Sequence, residues 1–196
     1  MRRRVIPVFA VLACLAATPA SAHPPPLGFT GFSGGLLHPV FVIDHVMALL
    51  ALGLLMGSQQ RWRWLPPAAF AVGIVAGVVA MMSGVVPRYA NESILAIAMV
   101  AGVLVALAWP LPVWLGVAFA ADLGLAIALD SPPEVLSVSE ANLMLGGTAL
   151  GATALVIVVW QAARHARAGW MNIAVRAAGS WIAAAAILAL ALRFVR

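Results

Sequence analysis

Apolar positions in this chain come in long unbroken blocks separated by short polar stretches, with neither the period of two of a half-buried strand nor a charged face recurring along a helix. A helix crossing a bilayer needs about 20 consecutive, mostly apolar residues. Six such blocks follow residue 22, near Phe32–Met56, Pro66–Val86, Ser93–Trp109, Pro112–Leu129, Ala141–Trp160 and Trp170–Phe194. In hydrocarbon, backbone groups are satisfied only within helices or closed barrels, and blocks of this length read as helices. The third and fourth blocks are joined by Pro110-Leu111-Pro112 alone, which predicts a tight hairpin. The pattern predicts an all-α fold, a polytopic membrane bundle of six transmembrane helices.

The first 22 residues have a different grammar. Arg2, Arg3 and Arg4 precede a short apolar run, Val5 to Ala17, and Ala20-Ser21-Ala22 offers small residues for cleavage. This is the layout of a secretory signal peptide. The expected organisation is a cleavable signal over 1–22 and a single transmembrane domain over 23–196, with His23 as the mature N-terminus in the periplasm. Cys14 is the only cysteine and lies within the signal, so disulfides and thiolate metal sites are excluded from the mature chain.

Composition agrees with a membrane protein. Hydrophobic residues make up 64% of the chain and charged residues 9%, against about 25% charged in soluble domains. The net charge of +5 is carried by arginines at the N-terminus, in loops and near helix ends, which is not a nucleic-acid-binding face. With the N-terminus exported, alternation makes the loops bearing Arg61 and Arg63, and Arg164 and Arg167, cytoplasmic, and the acidic loop 130–140 extracytoplasmic. This matches the positive-inside rule; Arg193 and Arg196 do not. Trp62, Trp64, Trp109, Trp114, Trp160 and Trp170 fall at predicted span ends, where an aromatic belt is expected. Gly73 with Gly77, and Gly147 with Gly151, are spaced for close helix packing. Self-association of the chain is left open.

Chemistry concentrates in the first block, GGLLHPVFVIDHVMALLALGLLMG. Each ionisable group at the centre of a span disfavours insertion by about 2.5–3.5 kcal/mol, so such groups mark functional sites. On one straight helix His38 and His45 would lie about 20° apart around the axis and roughly 10 Å apart along it. That spacing predicts two stations on one route rather than one shared site. Pro39 suits a first helical turn, which predicts that His38 sits at a helix entrance. Asp44 and His45 are then expected near the middle of the bilayer, with Met47 as a neighbouring soft ligand. Imidazole suits nickel, copper, zinc and iron, and a carboxylate can ligate the ion or orient a histidine.

At these residues the chain resembles the HupE/UreJ family of nickel/cobalt permeases, which accompany hydrogenase and urease genes. The resemblance rests on Ala22-His23, the glycine-rich lead Gly31–Gly35, and His38-Pro39 followed by Asp44-His45, a match to H-P-x4-D-H. It implies an inner-membrane permease for a divalent transition-metal ion, nickel or cobalt, supplying enzymes such as hydrogenase or urease. The ion is then substrate, and no resident cofactor is expected. His23 and His38 would capture it outside, and Asp44 and His45 would carry it inward. A second family motif of the H-G-x-A-H-G kind is missing: the matching region reads AFAADLGLAIALDSPPE and contains no histidine. Asp122 is the ionisable residue at depth there. The expectation is that Asp122 replaces the missing ligand, facing Asp44 and His45 from a fourth span packed on the first.

Two other classes compete. A non-transporting metal sensor or accessory protein would need the same ligands. An intramembrane serine protease would use Gly31-Phe32-Ser33-Gly34, a G-x-S-G match, with an imidazole within hydrogen-bond reach of Ser33. The expectation is that the protein is not an enzyme, and that its partners are the lipid bilayer and a divalent ion.

Overall fold

The computed structural model describes residues 30–59, 61–85, 90–130, 137–166 and 169–194. The expected signal peptide and His23 lie outside them. The described residues form seven helices and no strand: α1 (Gly31–Phe41), α2 (Ile43–Ser58), α3 (Leu65–Met82), α4 (Ala90–Leu107), α5 (Val113–Leu129), α6 (Val138–His165) and α7 (Gly169–Phe194). Four of them, α3, α4, α6 and α7, are long and apolar enough to cross a membrane, and α1 with α2 meets the same test as one bent pair. At 17 residues, α5 is a shorter apolar helix.

The first block is therefore not the straight helix the sequence predicts. Val42, with φ −89° and ψ 110°, is extended and separates α1 from α2, which are bent by 71°. Pro39 lies in the last turn of α1, where its missing N–H cannot bond back to the preceding turn. The helix begins at Gly31, ahead of the proline, so His38 closes α1 instead of opening a helix. A glycine-rich lead has poor helix propensity; here tertiary contact overrides it. A Cβ on Gly35 would strike the backbone of Met144 on α6, and Cβ atoms on Gly147 and Gly151 would strike Phe32 and Leu36 on α1. The glycines let the two backbones touch.

The same device joins α3 to α5, where Gly73 meets the backbone of Ala121 and Gly124 that of Phe70. The most extensive packing is between α3 and α5, α1 and α6, and α4 and α7, while α2 is held between α6 and α4. Contact registers give the relative directions. Gly53 meets Val159 and Gly57 meets Ala163, so α2 and α6 run parallel; Gly102 meets Ala183 and Ala106 meets Arg176, so α4 and α7 run antiparallel. A chain that reverses at every connection has these directions.

Trp62 and Trp160 depart from the aromatic-belt expectation. Both are buried. The ring of Trp62 covers Gly116 and its indole N–H donates to the Leu111 carbonyl at 3.3 Å. Gln59 holds the α4–α5 hairpin from both sides, donating to Trp109 O at 2.8 Å and accepting from Leu111 N at 3.3 Å. At the start of α6, the Ser137 hydroxyl oxygen accepts from Glu140 N and its O–H donates to the Glu140 carboxylate, a reciprocal cap.

Candidate metal centre

The break at Val42 assembles the site. It folds the end of α1 over the beginning of α2, and the rings of His38 and His45 stand 5.3 Å apart between centroids at an interplanar angle of 76°. The separation of roughly 10 Å expected along one straight helix is thereby not found, because Val42 breaks that helix. A metal–imidazole bond of about 2.0–2.1 Å puts an ion roughly 3 Å from a ring centroid, so two rings sharing a tetrahedral ion have centroids roughly 5 Å apart. The centroid spacing of the pair is close to that distance.

His45 is completely buried, with 0% of its surface exposed. Its Nε2 lies 3.1 Å from Oδ2 of Asp130, the residue that caps the C-terminus of α5. Asn91, in the first turn of α4, donates its amide N–H to the same oxygen at 3.5 Å. Two polar atoms here are buried without a hydrogen-bond partner, Nδ1 of His45 and Oδ1 of Asn91. Helices α1 and α5 end at this place, and helix C-termini carry the partial negative charge that favours cations. A broken helix whose ends face a buried polar cluster is how membrane transporters place irregular backbone around an ion.

Asp44 and His45 are adjacent on α2 and therefore point about 100° apart. Asp44 turns away from the imidazoles and pairs with Arg193, at 2.8 Å, near the end of α7. Asp122 is exposed on α5, whose main partner is α3, and α2 touches α5 only sparingly. The expected approach of Asp122 to Asp44 and His45 is thus not found. The straight-span geometry placed His45 level with the middle of α5; the break places it in the first turn of α2, level with the end of α5, where Asp130 stands. Met47 is half-buried against the core. Ser33 is exposed, and its hydroxyl donates to the Thr30 carbonyl at 3.0 Å rather than to an imidazole.

Asp130, Asn91 and Arg193 were not singled out by sequence as site residues. Asp130 reads as the first acid of a loop, although its place directly after an apolar block was a usable signal. Among the described residues, no group of three or more His, Cys, Asp or Glu side chains is placed to hold a metal ion.

Fold and site together define a multi-pass, all-helical membrane protein with a buried imidazole–carboxylate cluster at a helix break. The chain belongs to the HupE/UreJ family, whose model, HupE / UreJ protein, matches residues 11–189. That family is associated with nickel and cobalt transport. No individual curated protein and no solved structure matches the chain.

Proposed function

We propose that this protein is an inner-membrane permease for a divalent transition-metal ion, nickel or cobalt, supplying metalloenzymes. The observation that supports it most is the convergence of His38 and His45 beside Asp130 at the break between α1 and α2. Imidazole nitrogens with a carboxylate nearby suit borderline ions such as Ni2+ better than Ca2+ or Mg2+. In this reading the ion enters at the end of the bundle where Asp130 and Arg193 lie. It leaves at the opposite end, beside a cavity of about 610 Å³ lined by Gly57, Ser58, Val105, Ala163 and Arg176. Helix α2 links the two, and its buried Leu49, Leu52, Leu55 and Met56 close the way between them. Passage then requires α2 to shift against α4 and α6. His23 remains a proposed capture residue at the mature N-terminus, and Asp44 a proposed contributor at the mouth of the site.

The test is uptake of radiolabelled Ni2+ or Co2+ by proteoliposomes holding the purified protein, with His45→Ala at equal incorporation. Uptake by the native chain that His45→Ala abolishes is the expected result. Metal binding without uptake would instead assign the protein to the non-transporting accessory class.

A further inference from the structure

The contact between His45 and Asp130 bears on which nitrogen meets the ion. A carboxylate oxygen accepts hydrogen bonds, so Nε2 of His45, 3.1 Å from Asp130 Oδ2, carries the proton. The other nitrogen, Nδ1, is buried with no hydrogen-bond partner on a side chain that is 0% exposed. A proton on Nδ1 would be a buried donor with nothing to accept it, which is costly. The lone pair therefore stays on Nδ1. Resting on the permease reading, we infer that Nδ1 of His45 is the atom that takes the divalent cation, and that Asp130 is a positioning residue that fixes the tautomer from the far side of the ring. Asn91, donating to the same carboxylate oxygen, helps hold Asp130 in place. Histidines that ligate metals commonly donate their other N–H to a carboxylate, which orients the ring and raises its basicity; losing that partner costs about 10–100-fold in metal affinity. Asp130 acts through the ring in this way and does not itself occupy one of the ion's coordination positions.

Three measurements on the full-length protein in detergent test this. The first is the 15N spectrum of metal-free, histidine-labelled protein, with the His45 signals identified by their loss in His45→Ala. The expected pattern has the proton on Nε2, and adding Zn2+ as a diamagnetic probe should shift Nδ1. The second is Co2+ affinity. Asp130→Ala should weaken it about 10–100-fold, with His45 now a mixture of tautomers. The third is rescue: Asp130→Asn, whose amide oxygen still accepts from Nε2–H, should keep the Nε2–H tautomer and recover most of the affinity. A purely structural Asp130 would not tie affinity to the tautomer in this way. If Co2+ binding needs His45 but the metal-free ring carries its proton on Nδ1, or Asp130→Ala binds as tightly as the native chain, the role of Asp130 is overturned and the permease reading stands. If His45→Ala binds Co2+ like the native chain, the permease reading falls as well.

Discussion

Arg193, in the last turn of α7, reaches across the end of the bundle and holds Asp44 at 2.8 Å. Arg193 is a cation that the positive-inside rule does not account for, and at the expected outer end it has a carboxylate partner. With side chains 39% and 19% exposed, the ion pair adds less than about 1 kcal/mol to stability. Its expected effect is on the ion. Removing the guanidinium by Arg193→Gln frees Asp44 and should lower the metal concentration for half-maximal uptake, while Asp44→Asn should raise it. Concentration curves in proteoliposomes check this. A weaker affinity in Arg193→Gln would mean that the pair serves the architecture of the mouth.

In the proposed function His38 and His45 hold one ion together, so their losses should not add. His38→Ala and His45→Ala should each cost Co2+ affinity by an order of magnitude or more, and the double variant should cost little beyond the worse single. Contacting residues couple in this way, whereas independent stations give additive free energies. Titration of the four proteins closes the cycle, and additivity would restore the two-station picture.

Asp122 is exposed on α5 and has no place at the imidazole pair. Asp122→Asn should therefore leave Co2+ affinity unchanged within about twofold, and Asp122→His should not create a new ligand. A tenfold loss in Asp122→Asn would show that the helices rearrange to bring this carboxylate inward when metal binds.

The contact of α1 with α6 positions His38. Gly147→Ala puts a methyl into the backbone of Phe32 and Leu36, whereas an added Cβ at its neighbour Gly146 meets nothing within 4 Å. Overpacking of this kind costs about 1–3 kcal/mol. Gly147→Ala should lower the melting temperature in detergent and the Co2+ affinity together; Gly146→Ala should lower neither. Equal effects of the two would remove the argument that α1 is held by close backbone contact.

Orientation is open to direct measurement. Arg61, Arg63 and Arg164 lie at the end of the bundle where α2 and α6 finish, opposite Asp130. A reporter fused at His165 should read cytoplasmic and one at Ser137 periplasmic. The reverse result would invert the direction of the proposed route between the imidazole cluster and the cavity beside Gly57 and Arg176.

The sequence by itself determined the solvent and the chemistry. Long apolar blocks must become helices where water cannot satisfy the backbone, and each predicted block holds a helix among the described residues, although four, or five with the bent pair, rather than six are long and apolar enough to cross a membrane. The cost of ionisable groups among apolar residues marked His38, Asp44 and His45, and the pairs Gly73–Gly77 and Gly147–Gly151 marked close packing. What only the tertiary structure decided is who meets whom. Periodicity gives the angle and rise between residues of a straight helix, and the break at Val42 cancels both: it brings His38 to His45, separates Asp44 from them, and moves the level of the site from the middle of α5 to its end. The partners then come from far along the chain, Asp130 from α5, Asn91 from α4 and Arg193 from α7. A loop acid, a helix-start amide and a terminal arginine carry no local pattern that says where they point. Where they stand is set by which helix ends pack together, and close glycine contacts join those helices in pairs: α1 to α6, α2 to α6, α3 to α5 and, through Gly102 and Gly179, α4 to α7.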